Sequence, residues 1–368
     1  MESSSIIEQK KVVMICMEKI SILRNGIFVE LYEYVEDFYL ISKTANKTIE
    51  QLRKGLSTWI SSEKYKEMNV SVWMYYDTRV NAFCYYDDGK NYIALSLGLL
   101  TTFWDEINDF VNQENLSLII KLSEENKPEL VDALYFYMLN FTIAHEFGHI
   151  AHGHLRARCG VNGIDEMLQL SSETTKKEKK TQNWLTQLKE YDADSFAVTI
   201  QSLLFLQRWE KDINANLSNF DAMFIANYLC FRAFAEKTGR NFDGYLTKEI
   251  DEYDHPHPGI RMYYSYILYS DWIGRAHGFG DDTLAILASG SHAVVAYERS
   301  VLEKKEIKEC YYSVAYTEKG AQHFMNLHNG WQELVEYYNQ YSYIPIERME
   351  NVSSMPVSVD ERGYFINK

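Results

Sequence analysis

FTIAHEFGHIAHGHL, residues Phe141 to Leu155, decides how the rest of the chain is read. His145 and His149 are four residues apart, which on an α-helix puts them about 40° from each other on one face. Both imidazoles then reach one metal ion. Glu146 falls on the adjoining face, where it can hold a water beside that ion. The competing reading is a chance pattern on a buried helix. A five-residue pattern is short, so the remaining sequence has to separate the two.

Upstream, LVDALYFYMLNFTIA is apolar nearly all round, as in a helix buried in a domain core. The pattern predicts a helix that starts just after Pro128 and ends at Gly153. Further upstream, VSVWMYYDTRVNAFCYYDDGKNYIALSLGLL is rich in Val, Ile, Tyr and Phe and is broken by Asp87-Asp88-Gly89. This predicts a β-hairpin with an Asp-Gly turn, followed by a strand over Asn91–Ser96. Residues 6–62 read as helical from their mixed three and four spacing. The polar stretch SSETTKKEKKTQ, Ser171 to Gln182, predicts a loop. Helices are expected near Trp184–Trp209, Phe220–Lys237, Ile260–Ile273, Asp281–Leu302 and Ala321–Tyr341, with an irregular tail after Arg348. No internal repeat interrupts this order. The expected fold class is α+β, mainly helical, with a small sheet or hairpin preceding the His145 helix.

Composition narrows the class of function. With 46% hydrophobic and 14% aromatic residues in 368, the chain can bury a sizeable core. A formal net charge of −15 argues against nucleic acid as a partner, because phosphate binding needs a basic surface. Five scattered cysteines, with no C-x-x-C pair, predict reduced thiols and a cytoplasmic location. MESSSIIEQKK shows no signal-peptide pattern. The longest uncharged runs, Asn91–Trp104 and Thr283–Tyr297, fall short of the ~18 apolar residues of a membrane span.

A catalytic zinc site usually takes three protein ligands and keeps one open position. In one peptidase class the third is a histidine completing H-E-x-x-H-x-x-G-x-x-H. Here the last two of those fixed positions are His152 and Leu155, which excludes that class. His152 lies about 10.5 Å along the helix axis from His145, too far to share an ion. His154 would point about 180° away from His145 if the helix continued, so both read as a polar helix end. A better candidate is Glu190 in KEYDADSFAV. Glu190 and Asp194 share a helix face, and small Ala193 lets that helix approach the first one closely. A carboxylate from a second helix completes a His₂Glu set. Asp194 is then free to accept from the outer nitrogen of a ligand histidine. Taken alone, EYDAD is also simply an acidic helix face.

The motifs gain weight from their order. NAF at Asn81–Phe83 is followed by GLL at Gly98–Leu100, HEFGH, E-x-x-A-D at Glu190–Asp194, and HPHPGIR at His255–Arg261. This series resembles the gluzincin metallopeptidases that include the CAAX prenyl endopeptidase and the HtpX-like heat-shock proteases, over roughly residues 70–265. The resemblance implies a zincin-like metallopeptidase domain at 66–275, between a helical segment at 1–65 and a helical region at 276–368. It implies one zinc ion per chain on His145, His149 and Glu190, with Glu146 as general base. It also makes Asp194 a support for a ligand histidine, and His255 and Arg261 accessory catalytic residues. Two features depart from the family pattern. Many relatives are membrane proteins, whereas this sequence shows no span, and Glu190 follows His149 by only 41 positions. A soluble, divergent member is therefore expected, without lipidated CAAX substrates.

The expected activity is hydrolysis of peptide bonds in a protein or peptide substrate. The strand residues Tyr92, Ile93, Ala94 and Leu95 are expected at the cleft edge, pairing with an extended peptide. The rivals are a phage-exclusion-type H-E-x-x-H protease, a zinc-binding regulator without turnover, and a non-metal helical interaction protein. Nothing in the sequence speaks to the oligomeric state.

Overall fold

The computed structural model describes residues 47–120 (except 48, 53, 57–59, 76 and 115), 127–158, 176–237, 245, 248–305, 312–353, 358–359 and 365–366. The expected N-terminal helical segment therefore lies largely outside the described residues. Its described positions between 47 and 56 are helical.

Helix α1, Ser62–Met68, starts where the Ser61 hydroxyl accepts from the Lys64 amide and ends where Asn69 turns left-handed at φ 44°. Strand β1, Val70–Tyr75, follows. Strands β2, Ala82–Asp87, and β3, Lys90–Ser96, form the expected hairpin. Its turn residues Asp88 and Gly89 have φ of 43° and 75°, the positive values that a two-residue hairpin turn demands. The sheet order is β1-β3-β2. β1 runs parallel to β3, with Val70 opposite Asn91, and β2 runs antiparallel, with Ala82 opposite Leu95.

This order corrects one expectation. Strand β3, which carries Tyr92, Ile93, Ala94 and Leu95, is hydrogen-bonded on both sides. Its backbone groups are already spent, so it cannot pair with a substrate. Its continuous apolar run, buried from Ile93 to Ser96, marks a central strand. Among the described residues, β1 and β2 are the two edge strands beside it.

β3 runs directly into α2, Leu97–Val111. Ser96 ties this junction together. Its hydroxyl accepts from the Leu99 and Asn81 amides, both at 3.0 Å, and donates to the Arg79 carbonyl at 2.7 Å. A short helix α3, Leu116–Ile119, precedes α4, Lys127–Ala151, which carries HEFGH. From Tyr137 to Phe147 every residue of α4 is buried, so it forms the axis of the core.

Helix α5, Lys176–Gln207, carries EYDAD, and α6 spans Ile213–Lys237. The expected loop at Ser171–Gln182 is corrected from position 176 onward, where α5 has already begun; positions 171–175 lie outside the described residues. Lys and Glu are good helix formers, and an exposed helix end needs no apolar stripe to fold. Neighbouring structure also holds it: Lys180 lies 3.1 Å from Asp251, and the Asn183 amide donates to the Asp251 carbonyl at 3.0 Å. Helices α7, Pro258–His277, α8, Asp281–Lys305, and α9, Glu318–Asn339, complete the described helical body. The tail after Arg348 is not irregular throughout, since Ser358–Val359 pairs with Phe365–Ile366. No helix among the described residues is long and apolar enough to cross a membrane.

Candidate metal centre

Helices α4 and α5 must touch closely for HEFGH to meet EYDAD. A Cβ on Gly148 would lie 3.3 Å from the Ala193 Cα and 3.0 Å from the Phe196 Cβ. The glycine inside HEFGH and the alanine inside EYDAD are thus a matched pair of small residues at the crossing.

At this crossing His145, His149 and Glu190 converge, with one donor atom from each lying within 4.8 Å of the others. The His145 and His149 Nε2 atoms are 3.2 Å apart. His145 Nε2 lies 3.4 Å from Glu190 Oε2, and His149 Nε2 lies 3.5 Å from Glu190 Oε1. Donors about 2.0–2.2 Å from one zinc ion in a tetrahedron stand about 3.3–3.6 Å from each other. The spacing and the donor chemistry therefore fit zinc. Among the described residues this is the one group of three such donors.

The electrostatics agree. Burial would raise the Glu190 pKa, but the neighbouring His255 and His145, with hydrogen bonds from both ligand histidines, hold it well below the usual carboxylate range. Burial opposes charge on His145, yet Glu190 and Asp194 outweigh it and raise this imidazole to about 10. Ligand nitrogens must be deprotonated to hold a metal, so metal binding at this site competes with protons.

Asp194 is fully buried and accepts from His145 Nδ1 at 2.7 Å. Its carboxylate also receives a two-pronged bond from Arg261, Nε and Nη2 each at 2.6 Å, and a bond from the Tyr264 hydroxyl. Burial works against the Asp194 anion, and the Arg261 guanidinium overcomes it. Such a charge, fixed on the outer nitrogen, sets the tautomer and the direction of His145. Arg261 also lies over the Phe231 ring, 4.6 Å from its centroid. Replacing Arg261 with Met is expected to cost about 3–5 kcal/mol of stability, because Asp194 stays buried after losing the guanidinium that does most to offset its burial. Denaturant unfolding of the metal-free protein measures it; a loss under about 1 kcal/mol, the scale of an exposed pair, would contradict the buried-pair account.

The His255–Arg261 segment is mounted rigidly. His257 caps α7, its Nδ1 accepting from the Gly259 amide at 3.0 Å, and Pro258 fills the first helical position. His255 is thereby left to face the site, its Nε2 lying 3.4 Å from Glu190 Oε2. Arg261 Nη2 is 3.6 Å from the same oxygen.

Three more residues, given no site role by the sequence pattern, belong to this neighbourhood. Cys84 on β2 sits beside Glu146; burial, then the Glu146 and Glu190 carboxylates, push its thiol well up. His154, read as part of a polar helix end, instead places its Nδ1 2.7 Å from His149 Nδ1. Its Nε2 lies 3.2 Å from Asp192 Oδ2, which also faces His152 Nδ1 at 2.6 Å. The available signal was Gly153 just before His154, because a glycine after a helix end reverses the chain direction.

The profile of peptidase family M48 matches residues 46–259, more than half of the chain and all the residues just described as converging. The chain belongs to peptidase family M48. It is a metallopeptidase, and the resemblance to the gluzincins drawn from the ordered motifs holds. No curated protein and no solved structure matches the chain. The match ends at Gly259, so helices α8 and α9 lie beyond it.

Proposed function

We propose that this chain is a zinc-dependent endopeptidase in which His145, His149 and Glu190 hold the ion and Glu146 is the general base. The observation that carries this reading is the 3.2–3.5 Å spacing of the nitrogen and oxygen donors at the crossing of α4 and α5. When bound, zinc supplies a Lewis acid that lowers the pKa of a water toward ~7 and polarises the scissile carbonyl. Glu146 is buried next to the metal ligands, positioned to take a proton from the attacking water and return it to the leaving amine. Asp194 and Arg261 keep His145 fixed while this happens.

Substrate is proposed to run along β2, because of the two edge strands among the described residues this is the one whose Cys84 abuts Glu146. Main-chain pairing on such an edge gives affinity with little sequence demand. Metal analysis and casein cleavage, with and without a chelator, test the assignment. Stoichiometric zinc with chelator-sensitive cleavage is expected. Zinc without cleavage points to a regulator, and absence of bound zinc removes the proposal.

His255 is proposed as the donor that meets the negative charge forming on the carbonyl oxygen. It stands beside the ligand set but outside it. His255→Ala should lower kcat by ~10²–10³ with zinc content unchanged, the loss typical of one such donor. A lower melting temperature with kcat per folded molecule intact would make it a turn residue only.

A further inference from the structure

We infer that His154, backed by Asp192, is the positioning residue for ligand His149, the counterpart of what Asp194 does for His145. The inference rests on the metal reading of the site. It begins at the end of α4. The Gly153 amide donates to the Ile150 carbonyl at 3.1 Å, and the His154 amide donates to the His149 carbonyl at 3.0 Å. Gly153 has φ 74°. These two bonds and the left-handed glycine define a Schellman motif, in which the residue after the glycine folds back over the residue five before it. In most proteins that contact is apolar. Here it brings His154 onto His149.

The proton bookkeeping then has one solution. His149 Nε2 faces His145 and Glu190, so as a ligand nitrogen it carries no proton, and Nδ1 must carry one. That proton points at His154 Nδ1, 2.7 Å away, which must accept. The His154 proton is thereby placed on Nε2, where the Asp192 carboxylate, with Oδ2 3.2 Å away, attracts it by charge without an aligned hydrogen bond. A ligand histidine whose outer nitrogen is bound by such a chain has both its tautomer and its ring plane fixed. The His154 ring in turn packs edge-to-face against both Trp331 and Tyr338 of α9, with centroids at 5.5 and 4.9 Å, and these two rings stack on each other. Both residues lie beyond the stretch that matches the family, which makes the C-terminal helix a structural support of the metal site.

The test compares wild type with His154→Leu and His154→Gln. Leu has no acceptor. Gln has a carbonyl to accept from His149 and an amide to donate to Asp192. Readouts are zinc affinity by chelator competition and the visible spectrum of the cobalt-loaded protein, with the melting temperature of the metal-free form as a folding control. His154→Leu is expected to weaken zinc binding ~10–100-fold and to alter the cobalt bands, and His154→Gln to recover most of both. Should His154→Leu not fold, His154→Phe carries the same expectation. Wild-type affinity and spectrum in the Leu or Phe variant would overturn the inference while leaving the metal site intact. So would equal losses in the Gln and Leu variants, since shape alone would then matter. A wild-type protein that binds neither metal would remove the site itself.

Discussion

Glu146→Gln is expected to retain its metal and its fold and to lose nearly all hydrolysis. Gln matches Glu in shape, and Glu146 is not among the three converging donors, so neither zinc affinity nor packing should change. What disappears is the ability to take a proton. Loss of a general base costs ~10²–10⁴ in rate, and more where the same group also orients the nucleophile. Glu146 is buried beside His145 and faces Cys84, whose thiol is held protonated and cannot replace it. The measurement is kcat/KM on a peptide substrate alongside metal content. Unchanged turnover with full zinc would remove Glu146 from the mechanism and with it the peptidase chemistry proposed for this site.

Glu190→Ala is expected to abolish tight metal binding. Its two oxygens lie opposite the two histidine nitrogens, at 3.4 and 3.5 Å, and no other carboxylate belongs to the converging group among the described residues. Removal of a ligand should exceed the ~10–100-fold loss in affinity expected for Asp194→Ala, which only supports one. The stabilisation that saturating metal confers on the folded state should vanish with it. Thermal unfolding with and without zinc reads this directly: wild type should shift upward on metal addition and Glu190→Ala should not. Tightly held stoichiometric zinc in this variant would mean that the third ligand lies elsewhere, with His255, 3.4 Å from Glu190, the first to examine.

Much of this protein was legible in its residues because the signals are local. A four-residue spacing on an apolar helix puts His145 and His149 on one face whatever surrounds them. Asp88-Gly89 can take the positive φ of a tight hairpin turn, and Pro128 sits at a helix start. Glu190 with Asp194, and Ala193 opposite Gly148, follow from helix periodicity and side-chain size. The order of these motifs carried the family.

Other features depended on what packs against what. Strand order is not written in strand propensity: β1 pairs in parallel with β3, and this made β3 central and left β1 and β2 as the edges among the described residues. The polar residues from 176 onward looked like a loop because solvated helix ends and loops share a composition; contacts with the 249–253 turn go with the helical form. His154 would face away from the metal on a continued helix. It faces His149 because the helix stops at Ala151 and the chain folds back through Gly153. Periodicity thus determined the residues able to bind a metal, whereas helix termination and strand pairing, set by contacts distant in sequence, decided which neighbours hold those residues in place.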